Sequence, residues 1–220
     1  LIVFIFAYNI EENNRKKVGI ILNGFEKRRE EKEKQILEAT FNLLNTNDSN
    51  KDNITMERIA KEANVGKTTI FKYFDNKENL IRKVFKNYIE EMIEEAREIV
   101  YQNKPFDETL VALSQNKIGY LNKITQQFYL EMMAYMTEKK DDELTFLINQ
   151  YVKENQEMML DLFYRGRKEG KVALKYSDEF LIYFFQAMVE GLSNPDVYEK
   201  MKPYVSEWTD ILIKGVAPDR

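Results

Sequence analysis

Cysteine and histidine are both absent from this chain. Disulfides, thiolate nucleophiles, Ser-His-Asp triads and the common zinc sites are absent with them, since each needs a thiol or an imidazole. Neither a glycine-rich phosphate loop nor a paired-histidine metalloprotease motif is present, and residues 165–170 read as a helix end rather than a phosphate site. Carboxylates, Lys, Tyr, Ser and Thr are all that remain for catalysis, so no enzyme, no metal and no cofactor are expected. Turn-formers are also scarce, with eight glycines and four prolines in 220 residues. Lys, Glu, Leu, Ile, Met and Gln are abundant instead, which favours long helices over many short strands and makes the expected fold class all-α.

Long apolar runs are lacking as well. The opening residues 1–8 are apolar, but a spanning helix needs roughly 20 such residues. No basic segment precedes them as in a signal peptide, so no membrane partner is expected. Residues 1–26 are read as a disordered or non-native extension, the alternative being a strand or helix packed on the body. The remainder has what a globular protein needs, with 44% hydrophobic and 32% charged residues.

Charge is unevenly placed. Residues 27–87 carry 14 basic and 10 acidic side chains, whereas residues 88–220 carry 16 and 24. A basic module joined to an acidic remainder suits a DNA reader with a separate sensing or pairing domain.

Helical periodicity starts at Lys27, with Ile36, Leu37, Phe41 and Leu44 on one stripe, and ends in the polar run from Asn45 to Asn50. Thr55 is the N-cap of a second helix that turns Met56, Ile59, Ala60 and Ala63 to one face. Asn64, Val65 and Gly66 interrupt it, and a helix of about two turns resumes at Lys67 with Ile70 and Phe74 inward. Asp75 and Glu78 stand at capping-box spacing before a fourth helix that buries Ile81, Val84, Phe85, Tyr88 and Met92 and runs to about Val100. After the break at Asn103, Lys104 and Pro105, further helices are expected near 106–122, 125–137, 141–168, 177–193 and 195–215.

Two short helices flanking a tight turn suit DNA reading, because a helix entering the major groove must bury one side and present polar or cationic side chains on the other. Ile70 and Phe74 bury, leaving Lys67, Thr68, Thr69, Lys72 and Tyr73 to face bases and phosphates. Thr55 and Lys77 stand at helix starts, where backbone N–H groups and side chain together clamp phosphate oxygens.

Residues 55–80 resemble the DNA-binding region of the TetR family of transcriptional regulators. The specific part is Lys67, Thr68, Thr69, Ile70, Phe71, Lys72, Tyr73 and Phe74, followed by Lys77, Glu78 and Leu80, which is similar to the family's recognition helix and the start of its fourth helix. Tyr73 matches the family's tyrosine, while Phe71 stands where a second tyrosine is frequent and is assigned to packing. Asn64 replaces a usual Gly and Gly66 a usual Ser; the turn survives, because Asn tolerates the left-handed region and Gly is an acceptable N-cap.

The resemblance implies an N-terminal three-helix helix-turn-helix domain over 27–76, a connecting helix over 77–101 and a C-terminal helical ligand-binding and dimerisation domain over 102–220. It implies a cytoplasmic, ligand-responsive repressor that binds palindromic operator DNA as a homodimer, pairing through the helices near 177–193 and 195–215, with a small apolar effector. Tyr120, Phe128, Glu131, Met132, Tyr135, Met159 and Phe163 are the candidate pocket residues, and Glu131 among apolar neighbours suits a cationic ligand. The rival reading is a helical dimer that acts through protein contacts, its helix-turn-helix kept only for packing. Outward Lys67, Lys72 and Lys77 argue against it.

Overall fold

The computed structural model describes residues 24–46, 53–137, 156–192, 197 and 200–219. No strand occurs among them, as expected of a chain poor in turn-formers. Helix α1 spans Gly24–Leu44, α2 Met56–Glu62, α3 Lys67–Phe74, α4 Lys77–Tyr101, α5 Phe106–Lys123 and α6 Gln126–Thr137. Helix α7 covers 156–168, α8 Asp178–Leu192 and α9 Val205–Val216, the last preceded by a short 3-10 turn at Lys202–Tyr204. The single helix expected near 195–215 is therefore broken where Pro203 removes a backbone donor. The expectations for residues 1–23, for the loop beyond Thr46, for the first part of the 141–168 helix and for Ser193, Asn194 and Pro195 lie outside the described residues.

The chain divides into two compact units. The N-terminal unit holds α1, α2, α3, the first part of α4 to Glu90, and residues 124–135. Ile36 and Leu44 of α1, Ile59 of α2 and Ile70 of α3 are fully buried, while Leu37 and Phe41 of the stripe read on α1 are half-buried. On α4 the buried stripe reaches Ile93, one residue past the half-buried Met92, because a straight helix drifts against a strict repeat. Phe128 of α6 is fully buried, with ring centroids of Phe41, Phe85 and Tyr88 at 5.1, 5.2 and 5.6 Å. Thr125 caps α6 by accepting from Phe128 N at 3.2 Å, and its own N–H donates to Asn45 Oδ1 at 2.6 Å. Sequence-distant α1 and α6 are thereby fastened at one residue.

The C-terminal unit holds the rest of α4, α5, α7, α8 and α9. Phe106, Leu162, Phe163 and Leu181 are fully buried and share one core with Leu212 and Val216. Helix α7 ends at Gly170, whose φ of 70° takes the left-handed conformation that lets Lys171 N reach Gly166 O at 2.8 Å. Glu169 then caps α5 by accepting from Phe106 N at 2.9 Å, and Lys171 pairs with Asp107 and Glu169. Gly166 sits where a Cβ would lie 2.5 Å from Val172 Cγ2 and 2.8 Å from Phe106 Cδ2. Only a hydrogen fits at that crossing.

Helix α5 carries an exception to its own pattern. Its inward stripe runs Phe106, Leu110, Leu113, Lys117, Tyr120, so a lysine occupies a position of the core face. Lys117 Nζ is sealed from solvent without a hydrogen-bond partner, and burial pushes its ammonium down to about 7.

Two measurements follow from this packing. Gly166→Ala is expected to lower stability by about 1–3 kcal/mol through overpacking, read as a lower midpoint in thermal or urea denaturation. Lys117→Met is expected to raise it. The unfolded lysine keeps its proton up to about 10.5 and the folded one only up to about 7, so the unfolded chain binds more protons between those values and wild-type stability rises with pH there. The gain from Lys117→Met is thus largest below pH 7, on the order of 5 kcal/mol, and shrinks as pH rises towards 10. A gain independent of pH would count against the buried cation.

Candidate nucleic-acid interface

The helix-turn-helix is built from backbone conformation first. Thr55 is the N-cap of α2, with extended backbone and its Oγ1 accepting from Arg58 N at 3.2 Å. At the other end Ala63 N donates to Ile59 O and Val65 N to Ala60 O, at 2.8 and 3.0 Å. Asn64 closes this turn at φ 48°, the left-handed conformation expected of it. Gly66 then starts α3 with φ −70° and ψ 141°, an ordinary extended N-cap that needs no glycine and offers no side-chain cap.

Helix α3 has only eight residues, too few to be stable alone, so its orientation comes from two anchors. Ile70 and Phe74 are buried, and α3 packs against α2, which packs against α1. Lys67, Thr68 and Lys72 are exposed, while Thr69 and Tyr73 are half-buried. Asp75 ends the helix at φ 64°, with its N–H on Phe71 O. The cap of α4 is Asn76 rather than the expected Asp75: Asn76 Oδ1 accepts from Asn79 N at 2.8 Å. Asp75 is occupied in terminating α3 and cannot also adopt the N-cap geometry. Lys77 is the first residue of α4 and is half-buried.

Thr55, Lys67, Thr68, Thr69, Lys72, Tyr73 and Lys77 thus all fall in the N-terminal unit, at or after the starts of three consecutive helices. Phe71 departs from its expected packing role. It is 42% exposed, with Lys67 Nζ 5.7 Å from its ring centroid. Helical spacing was the available signal, since position 71 follows Lys67 by four and Thr68 by three and shares their outward face.

Two neighbours tune this face that the motif did not bring out. Glu57 of α2 forms an ion pair with Lys67 across the turn, and the Lys67 ammonium holds the Glu57 carboxyl below its ordinary value. Both side chains are largely exposed, so the pair contributes little to stability, but it places a negative charge beside the outward face. Arg29 of α1 lies with its guanidinium carbon 5.9 Å from the Tyr73 ring centroid, which brings a cation from the first helix to the end of α3.

The candidate pocket residues are divided between the units. Phe128, Glu131, Met132 and Tyr135 belong to the N-terminal unit; Tyr120, Met159 and Phe163 belong to the C-terminal one. Phe128 is enclosed by the rings already described, Tyr135 packs on Phe85 with Arg82 over its ring, and Glu131 Oε1 accepts from Gln127 Nε2 at 2.9 Å. Met159 and Phe163 are buried in the C-terminal core, and Tyr120 is buried with Lys123 Nζ 4.1 Å from its ring centroid. No group of His, Cys, Asp and Glu that could hold a metal occurs among the described residues, and no described helix is long and apolar enough to cross a membrane.

Comparison with known proteins bears on this site directly. Residues 36–84 match the sequence model of bacterial regulatory proteins, tetR family. Over 56 residues the chain is 43% identical to the HTH-type transcriptional regulator YhgD of Bacillus subtilis (strain 168), a match spanning 26% of this chain and 29% of that protein. Two solved structures share the fold over nearly their whole length. The fatty acid degradation regulator FadR from Bacillus halodurans gives a TM-score of 0.58 at 19% identity, covering 83% of this chain and 94% of that one. The transcriptional regulator FadR from Bacillus subtilis, solved in complex with stearoyl-CoA, gives 0.60 at 17% identity, covering 84% and 97%. At such identities the likeness concerns the fold.

The geometry at Gly66 makes one prediction for helix α3. A Cβ there would meet Thr68 Oγ1 and Thr69 Oγ1 at 3.7 Å, an ordinary contact. Gly66→Ser is therefore expected to be accommodated and to stabilise the domain by about 0.3 kcal/mol through a side-chain cap, measured as a higher denaturation midpoint. A fall would show that the turn needs glycine after all.

Proposed function

We propose that the chain, whose residues 36–84 match the sequence model of bacterial regulatory proteins, tetR family, is a homodimeric repressor of that type, which binds palindromic operator DNA and is released by a small amphipathic effector. The observation that carries the DNA-reading part is the outward face of α3, where Lys67, Thr68, Phe71 and Lys72 stand exposed over the buried anchors Ile70 and Phe74.

Each residue takes a role that its chemistry allows. Lys67 and Lys72 meet guanine edges or phosphates, Thr68 and Thr69 offer a methyl and a hydroxyl to base edges, and the exposed Phe71 ring suits a thymine methyl. Thr55 and Lys77, at the starts of α2 and α4, hold phosphates, and Tyr73 adds a backbone or base contact. Two such helices related by a two-fold axis enter successive major grooves about 34–36 Å apart, which calls for a palindrome.

The homodimer is supported by α8 and α9. The exposed stripe of α8 runs Phe180, Tyr183, Ala187, Gly191, aromatic at one end and small at the other, as a face that packs closely on a second helix does. Ile211 of α9 is 68% exposed. Release requires an effector that binds the non-operator conformation more tightly than the operator-bound one. Helix α4 is one continuous helix that contributes to both units, so it is the element proposed to carry the change. Because a related fold binds stearoyl-CoA, acyl compounds are the first effectors to test.

Selection of bound duplexes from a random-sequence pool at near-physiological salt tests the reading. Recovery of a palindrome with half-sites about one turn apart supports it; weak, steeply salt-dependent binding without a consensus overturns it. Glu57→Gln is expected to tighten DNA binding about threefold and to steepen the salt dependence by about one unit of slope, because it removes a negative charge and releases Lys67. Fluorescence anisotropy across a salt series measures both. Ile211→Glu is expected to shift the protein to monomer in analytical ultracentrifugation and to weaken operator binding by tenfold or more, about 1.4 kcal/mol; an unaltered dimer would place the pairing face elsewhere.

A further inference from the structure

Several cations of the C-terminal unit are paired with carboxylates. Arg167 bonds Asp178, Lys171 bonds Asp107 and Glu169, Lys175 bonds Asp219 and Lys214 bonds Asp210. Lys117 is treated differently. It occupies a core-face position on α5 between Leu113 and Tyr120, and its Nζ is sealed from water with neither a carboxylate nor a carbonyl to accept from it. Its neighbour Asn116 is half satisfied: Nδ2 donates to Glu95 Oε2 at 2.9 Å, while Oδ1 is sealed and accepts nothing.

An apolar residue at position 117 would continue the stripe at no electrostatic cost. A sealed, unpaired ammonium is instead a standing penalty, which an arriving anion relieves. The long lysine stem has the reach to send its head elsewhere, as lysines at core edges commonly do, yet the head stays inside. Burial also lowers its proton affinity, and an anion placed beside it would reverse that shift.

We propose that Lys117 anchors an anion-binding site within the C-terminal unit, taking the carboxylate or phosphate of an amphipathic ligand. This deepens the effector reading above by giving the effector a charge. The anion is negative, in contrast to the cationic ligand that Glu131 suggested from sequence. A sealed ammonium makes charge-assisted bonds stronger than they are in water, so one contact of this kind discriminates strongly between charged and neutral heads.

The test uses the full chain and four defined probes below their micelle-forming concentrations: laurate, dodecyl phosphate, dodecanol and dodecyltrimethylammonium. Binding is read by calorimetry and by thermal shift on the wild type, Lys117→Met and Lys117→Gln. At least one of the two anions is expected to bind the wild type, about tenfold or more tighter than dodecanol, and to lose that advantage in both variants. Which anion binds identifies the head group. Equal affinity for anion and alcohol, preference for the cation, no binding of either anion, or unchanged anion binding in both variants overturns the proposal. A parallel operator-release assay separates the two readings. Laurate bound through Lys117 with operator binding unaltered leaves the site standing and removes its effector role, whereas release by dodecanol from wild type and Lys117→Met alike keeps an effector and removes the anion site.

Discussion

The fully buried ring of Phe128 holds together three helices that are far apart in sequence. With Phe41 of α1, and Phe85 and Tyr88 of α4, it forms an aromatic cluster of offset and edge-on contacts in the N-terminal unit. The short helices α2 and α3 have little stability of their own and depend on packing in series on α1. The cluster therefore underlies the direction in which α3 points. The bond from Thr125 N to Asn45 Oδ1 adds a polar tie at the edge of the same cluster, so the start of α6 is fixed both by packing and by its cap.

On that platform the outward face of α3 is more mixed than a row of cations. Lys67 is shared between a carboxylate of α2 and the ring of Phe71. Arg29 of α1 lies against the ring of Tyr73. A face built this way attracts phosphate less than its lysine count suggests, because a negative charge offsets part of the attraction before any DNA arrives. In the proposed function such an offset favours base reading over non-specific adhesion, since the sequence-independent part of binding grows with each free cation.

The C-terminal unit combines a conventional apolar core with one discordant polar position. Gly166, Phe106 and Val172 interlock so closely that no side chain fits at the crossing, while a few turns along α5 a lysine lies on the inward face. A core that tolerates no extra methyl at one end and an unpaired ammonium at the other is not under a single selection for packing. Consistency between local pattern and global fold is what makes a chain foldable, and positions that break it are where function is to be sought.

Much of this was legible from residue order alone. Scarce glycine and proline with a period of 3.6 determined an all-helical chain, the spacing of Ile70 and Phe74 determined which side of α3 is buried, and Asn64 before Gly66 determined a left-handed turn, because each depends on neighbours a few residues away. The motif from Lys67 to Leu80 placed the candidate DNA-reading residues, which fall on α3 and the first turn of α4. What the order of residues did not determine depends on distant pairs. Phe128 joins the N-terminal unit across more than 80 residues of chain from Phe41, Glu57 meets Lys67 only because the turn folds α2 beside α3, and Phe71 lies outward although its lost hydroxyl argued for packing. The α4 cap moved to Asn76 because Asp75 was already committed to ending α3. That Lys117 is sealed without a partner was likewise a matter for tertiary structure, since a lysine on an apolar stripe reads in sequence as one more surface charge until the surrounding helices close over it.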